Sequence, residues 1–257
     1  MAFVQLGRCE RLEDIYIIPE PELNVDAIRC DPEALAETER LEKIFDDTKR
    51  METQRREKCW QISFLNVRSI KALDGHREDV SNDELLMTSD LLGLGETWLE
   101  KGQTVHFPGF SGYFSTSGQG KGIAGYTKLN LIEEPKIIST KTCSAILFKT
   151  STFHIIFLYL SKDYKEDSVT SVLLSWIDNV PTAVLGDMNE DILKRSKIQR
   201  FMRSKGFHQV IREPTCSTGS LIDHIYVNDS MSELGIFSEL DAVYYSDHDV
   251  ITLYIKK

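Results

Sequence analysis

Long hydrophobic runs are what this chain most plainly lacks. No stretch of its 257 residues approaches the ~18 consecutive apolar residues of a membrane-spanning helix, so no membrane partner is expected. No secretory leader is expected in MAFVQLGRCERLEDIY, which reaches Arg8, Glu10 and Arg11 before an apolar core can build. Paired cysteines are absent. The five present (Cys9, Cys30, Cys59, Cys143 and Cys216) are scattered, with no C-x-x-C among them, which indicates neither a zinc knuckle nor a disulfide framework. A reducing compartment, nucleus or cytoplasm, is the expectation, and not secretion. Basic character is lacking as well: 30 Lys and Arg face 40 Asp and Glu, a net charge of −10. That argues against a non-specific nucleic-acid coat. It leaves room for an enzyme that meets phosphates through a metal ion, since carboxylates gathered around a divalent cation are neutralised there. Internal repeats and low-complexity tracts are missing. STSGQGKGIAG (115–125) is glycine-rich but lacks phosphate-loop spacing, and reads as a hairpin turn.

What is present falls into two textures. Residues 1–58 are acidic and charged. Asp31-Pro32 is a helix start, with Pro at the first helical position, and Leu35, Leu41, Ile44 and Phe45 recur at near-helical spacing. This segment is expected to be a charged helical linker. From residue 59 to 257, short β-rich runs alternate with turns. QISFLN (61–66), LLGLGE (91–96), SAILFKT (144–150), FHIIFLYL (153–160), TAVLGD (182–187), IDHIYV (222–227) and VITLYI (250–255) read as strands. Residues 166–180 and 193–207 read as amphipathic helices, the second ended by Gly206. The mixture predicts an α/β domain of about 200 residues.

The strand ends share one chemistry. TAVLGDMNED stops an apolar run at Gly186 and continues as Asp187-Met188-Asn189. Gly, Asp and Asn are turn residues, which is the plain explanation. Residues i and i+2 past a strand end also point to the same side, so Asp187 and Asn189 can converge on one ligand. Other strands end alike: 61–66 on Asn66, 91–96 on Glu96. Near the C-terminus stand Asp223 in LIDHI and Ser246-Asp247-His248 in YYSDHDV. Glu96, Asp187, Asp247, Asn66 and Asn189 are hard-oxygen donors, suited to Mg²⁺ or Mn²⁺ rather than zinc.

The ordered set Asn66, Glu96-Thr97, Gly186-Asp187-x-Asn189, Ile222-Asp223-His224 and Ser246-Asp247-His248 resembles the endonuclease/exonuclease/phosphatase superfamily, over about residues 60–257. LNVRSI (65–70), LGETWL (94–99) and GSLIDHI (219–225) are most similar to its apurinic and retrotransposon-type endonucleases. The resemblance implies a four-layer α/β sandwich, two stacked mixed β-sheets flanked by helices, here with an N-terminal helical extension. It implies Mg²⁺-dependent nicking of DNA that leaves 3′-hydroxyl and 5′-phosphate ends. Glu96, Asn66 and Asp247 would hold the metal. Asp187 and Asn189 would act on the attacking water, and His248, supported by Asp223, on the phosphate. Asn66, Arg68, Thr215, Ser246 and His248 would contact phosphate or DNA. Tyr159 falls at a family tyrosine, a catalytic position, or is an ordinary strand tyrosine. Leu160-Ser161-Lys162 after it departs from the family's Pro-Asn.

FVQLGRCERLEDIYI (3–17) resembles the last motif of a superfamily 1 helicase, with Arg8 at the ATP-sensing position and Gly7 in place of Ser. No Walker A sequence precedes it here, so ATP is not an expected partner. A helicase tail before such an endonuclease resembles the end of a Helentron, a Helitron-like transposon. Two other readings stand beside the nuclease: a catalytically inactive transposon relic that serves as a binding module, and a phosphatase or phosphodiesterase on the same scaffold.

Overall fold

The architecture comes from a computed structural model that describes residues 32–71, 75–115, 122–194 and 196–257. The helicase-like stretch 3–17 and the tip of the glycine-rich turn lie outside the described residues. The chain divides into two units, one ending at Thr53 and one spanning Gln54–Lys257. Helix α1 spans Pro32–Lys58, and its apolar positions Leu41, Ile44 and Phe45 are exposed.

In the second unit, chain order runs β1 (Cys59–Asn66), α2 (Arg77–Asn82), α3 (Glu84–Thr88), β2 (Leu91–Gly95), β3 (Ser111–Ser115), β4 (Ile123–Thr127), β5 (Lys136–Ser139), β6 (Cys143–Lys149), β7 (His154–Leu160), α4 (Glu166–Trp176) and β8 (Thr182–Asp187). It continues with α5 (Lys197–Ser204), β9 (Phe207–Gln209), β10 (Asp223–Asn228), α6 (Asp229–Ser232), β11 (Ile236–Asp241) and β12 (Val250–Lys256). Two six-stranded mixed sheets result, ordered β11-β12-β1-β2-β4-β3 and β5-β6-β7-β8-β10-β9. Each has one parallel pair at its centre, β1 with β2 and β7 with β8, and antiparallel pairs elsewhere. The expected sandwich is therefore the observed one.

Strand alternation builds the layers. Ile62, Phe64, Ile155, Phe157, Ala183, Leu185, Ile225, Ile251 and Leu253 fill the space between the sheets. The opposite faces carry Leu65, Leu92 and Leu94 against Val80 of α2 and Leu86 of α3, and Ile156, Leu158 and Val184 against Val169 and Leu173 of α4 and Met202 of α5. At ~25 cal/mol per Å² of apolar surface, these three buried clusters carry most of the stability. Gly93 lets the sheets close up: a Cβ there would lie 2.6 Å from the Phe157 ring. The helices are shorter than the periodicity predicts. Extended Ile177 ends α4 at Trp176, and Ser196 caps α5 by accepting from Gln199 N. Among the described residues no helix is long and apolar enough to cross a membrane.

Candidate active site at the strand ends

Period-two alternation places the candidate residues. Asn66 continues the inward set Ile62 and Phe64 of β1, Tyr159 continues Ile155 and Phe157 of β7, and Asp187 continues Ala183 and Leu185 of β8. Asp223 leads the inward set Ile225 and Val227 of β10. Parallel pairs deliver their C-terminal ends together. The flanking antiparallel strands β10 and β12 begin at that same end, as the pairings Asp223 with Asp187 and Ile251 with Phe64 require. The site is thus the floor of the inter-sheet core, where strand ends meet. His224, one residue out of phase, faces the other way. Its Nε2 donates to the carbonyls of Glu190 (2.9 Å) and Leu221 (3.2 Å), and burial drives its pKa down to about 4. It is a neutral structural histidine.

The backbone is strained only where chemistry gathers. Among the described residues, the non-glycine positions with positive φ are Arg68 (51°), Ser69 (123°), Glu96 (51°), Trp98 (53°) and Asn189 (49°). All follow the ends of β1, β2 or β8. Such conformations cost about 1–3 kcal/mol each and persist where surrounding structure holds them. Gly186 is required by close approach: a Cβ there would sit 1.7 Å from the carbonyl oxygen of Leu158.

Asp187 is 1% exposed and gripped from three directions. Asn66 Nδ2 donates to its Oδ2 at 2.8 Å, Asn189 N to Oδ1 at 2.8 Å, and Asn189 Nδ2 to Oδ2 at 3.2 Å. Asn189 also ties down the end of β7 by donating to Leu160 O at 2.7 Å. Burial, and then the nearby charge of Asp223, raise the Asp187 carboxyl to about 7. Asp223 accepts from Thr215 Oγ1 at 2.8 Å and holds His248 Nδ1 at 2.8 Å, both through Oδ2. Burial alone would lower His248, but the hydrogen bond and charge of Asp223, with Asp187 adding, push it up to about 9. Burial also raises Asp223, against the pull of the imidazolium.

Thr215 is fully buried, and its hydroxyl accepts from the backbone of Asp223 and Ile222 while donating to the carboxylate. Ser246 donates to Asn66 O at 2.7 Å and accepts from His248 N. Arg68 pairs with Asp247 Oδ2 at 3.2 Å and keeps a half-exposed guanidinium. Glu96 accepts from Tyr159 at 3.2 Å through Oε1 and from Trp98 Nε1 at 3.4 Å through Oε2. Tyr159 is kept a neutral phenol by burial and by the charges of Glu96 and Asp187, which raise its pKa far above the ordinary tyrosine value.

Trp98, which donates to Glu96, carries little sequence signal. A large aromatic two residues beyond Glu96 in ETWL is the available signal. Cys216 bridges His248 across an isolated β-pair, and a cysteine 32 positions from its partner leaves no local pattern.

Asp187, Asp223 and His248 bring ligand atoms within 4.8 Å of one another. Three buried carboxylates, Glu96, Asp187 and Asp223, share this floor with one imidazole. Asp223 Oδ1 and Asp247 Oδ1 are buried oxygens without a hydrogen-bond partner. Surplus negative charge on hard-oxygen donors fits a divalent cation.

Neither a protein-family model nor a curated protein matches the sequence. Solved structures do resemble it. The endonuclease domain of TRAS1, a telomere-specific non-LTR retrotransposon, is 16% identical with a TM-score of 0.58, over 77% of this chain and 98% of that one. An endonuclease/exonuclease/phosphatase family protein from Leptotrichia buccalis is 14% identical with a TM-score of 0.57, over 77% and 100%. The Haemophilus ducreyi cytolethal distending toxin is 13% identical with a TM-score of 0.56, over 77% and 98%. At these identities the likeness establishes a shared fold.

Proposed function

We propose that this chain is a metal-dependent hydrolase of phosphodiester bonds, an endonuclease that nicks DNA to leave 3′-hydroxyl and 5′-phosphate ends. One observation carries the reading: on the floor where the strand ends meet, the buried Asp187 carboxylate, held by Asn66 and Asn189, lies within 4.8 Å of the His248 imidazole, whose Nδ1 is held by Asp223. A carboxylate base next to an imidazolium acid is an arrangement suited to hydrolysis near neutral pH. Likeness in fold to the TRAS1 endonuclease domain favours DNA as substrate.

Asp187 accepts a proton from the attacking water, which Asn66 and Asn189 help to orient by fixing the carboxylate. His248 offers Nε2–H to the phosphate oxygens as their charge grows, while Asp223 holds Nδ1. Thr215 keeps Asp223 in place. Glu96 would hold Mg²⁺ or Mn²⁺, helped by Asn66 and Asp247, with Tyr159 steadying its carboxylate. The bound ion supplies Lewis-acid polarisation of the phosphate. The half-exposed Arg68 and Ser246 would contact the DNA backbone.

The reading extends to origin. Residues 1–58 are a helicase-type tail and charged linker, residues 59–257 the nuclease domain, and the whole derives from a Helentron or Helitron-like element, acting in the nucleus or cytoplasm. A chain starting at Lys58 that folds yet does not nick would overturn this two-part division.

The deciding experiment is nicking of supercoiled plasmid in Mg²⁺ by the full chain and by Asp187→Asn. Nicking by the wild type alone supports the endonuclease. No nicking by either, with DNA still bound, supports an inactive relic. Release of phosphate from a monoester without nicking supports a phosphatase.

A further inference from the structure

We propose that Cys216, Asp247 and His248 form a second metal site, one selective for a thiophilic divalent ion such as Zn²⁺. One ligand atom from each lies within 4.8 Å of the other two. A tetrahedral ion with bonds of about 2.0–2.3 Å draws its ligands to roughly 3.5 Å apart, so closure needs about an ångström of side-chain movement.

The backbone prepares this triad. Ser217 N donates to Asp247 O at 2.8 Å and Asp249 N to Thr215 O at 2.9 Å. These bonds flank the Cys216–His248 bridge and make the two residues a non-hydrogen-bonded antiparallel pair, the kind whose side chains approach most closely. His248 Nδ1 is committed to Asp223 at 2.8 Å, which leaves Nε2 as the ligand, 4.0 Å from Asp247 Oδ1. Carboxylate to histidine to metal is the usual outer-shell arrangement of zinc sites. Asp247 divides its oxygens suitably: Oδ2 pairs with Arg68, while Oδ1 is buried without a hydrogen-bond partner. Water completes the fourth position.

A thiolate ligand discriminates against Mg²⁺, which takes oxygen donors. On binding, the Cys216 thiol and His248 Nε2 each release their proton to solvent, so affinity rises with pH. Occupancy withdraws His248 from the phosphate and Asp247 from the residues that would hold Mg²⁺, and Zn²⁺ therefore inhibits nicking. That consequence rests on the endonuclease reading; the test below does not.

The test is titration of the full, metal-stripped chain with Co²⁺, then displacement by Zn²⁺. The expected result is one tetrahedral Co²⁺ per chain, with intense visible bands and an ultraviolet thiolate-to-cobalt band, both removed by Zn²⁺ and left intact by excess Mg²⁺. Cys216→Ser should abolish the ultraviolet band and weaken binding at least ~10-fold. Asp223→Asn should weaken it ~10-fold while keeping the band. Cys59→Ser, Cys143→Ser and a Cys9→Ser/Cys30→Ser double variant should leave it unchanged. If Cys216→Ser does not fold, Cys216→Ala and His248→Gln carry the same comparison. A folded wild type without the thiolate band, or a band that survives loss of Cys216, overturns the proposal.

Discussion

Two buried histidines stand at opposite ends of the sandwich, each beside an aspartate, and they are driven in opposite directions. His154, at the start of β7, has Nδ1 3.5 Å from Asp178, whose side chain is 47% exposed. Water screens that charge, burial dominates, and the pKa falls below the ordinary value. His248 has Nδ1 2.8 Å from Asp223, whose side chain is 1% exposed. There the aspartate overcomes burial and the pKa climbs to about 9. The counter-charge decides the direction, and its own burial decides its strength.

The same contrast runs through the neighbouring polar groups. At the His154 end, Asn228 accepts from Thr182 N at 3.0 Å and Met231 N at 2.9 Å and donates to Val180 O at 2.8 Å. Gln61 and Ser89 are likewise joined to each other and to Leu85 O. At the His248 end, carboxylate oxygens are left over and the backbone is strained. The first end spends these side chains on hydrogen bonds, although His154 Nδ1 has no hydrogen-bond partner; the second leaves carboxylate oxygens of Asp223 and Asp247 unspent.

Removing a charge from the His248 end should have the largest effect. Glu96→Gln keeps the acceptor for Tyr159 and removes the carboxylate, so nicking should fall at least ~100-fold while the thermal midpoint holds or rises. Nicking unchanged in pure, folded Glu96→Gln would remove Glu96 from the metal site.

Asp223→Asn tests the histidine comparison itself. In the wild type the rate should fall as pH rises through the His248 pKa of about 9. Without the Asp223 charge, that alkaline limb should move down by at least about one pH unit, toward the ordinary histidine value of about 6.5. Linkage gives a second readout in metal-free protein. A histidine raised on folding contributes stability in full below its unfolded pKa and loses it as pH rises through the folded one. Wild-type stability from this pair should therefore decline between about 6.5 and about 9, and the decline should be missing in Asp223→Asn. A limb that stays in place would reduce Asp223 to a structural residue.

At the His154 end the effects should reverse in kind. Asn228→Ala deletes three hydrogen bonds and should cost about 2 kcal/mol of stability in denaturant unfolding, with kcat/KM of the folded protein unchanged. The smallest effect belongs to Asp178→Asn, the counterpart of Asp223→Asn. An exposed partner contributes little, so stability should stay within about 0.5 kcal/mol and the pH–rate curve should not move.

Much of this molecule could be read before its structure. TAVLGD, FHIIFLYL and VITLYI emerged as strands because both their faces are buried, which makes continuous apolar runs. Edge strands are harder: β5 is largely exposed and β11 half-buried, and three-residue β9 is too short for a period to register. The residues that gather at the candidate site are legible as polar residues at the ends of apolar runs. Their division of labour is not. That Asn189 grips Asp187 and that Thr215 is spent on Asp223 depends on pairing between segments far apart in sequence. The Cys216–His248 bridge depends on the same kind of pairing, and alternation alone cannot supply it.

The most direct test of the account is plasmid nicking by the full chain in Mg²⁺, with and without chelator, beside Asp187→Asn and Asn228→Ala at a temperature where all three are folded. The account predicts nicking by the wild type and by Asn228→Ala, abolished by chelator. It predicts at least ~100-fold less from Asp187→Asn, the scale set by loss of a general base. Equal nicking by Asp187→Asn and wild type, or nicking indifferent to chelator, would contradict it.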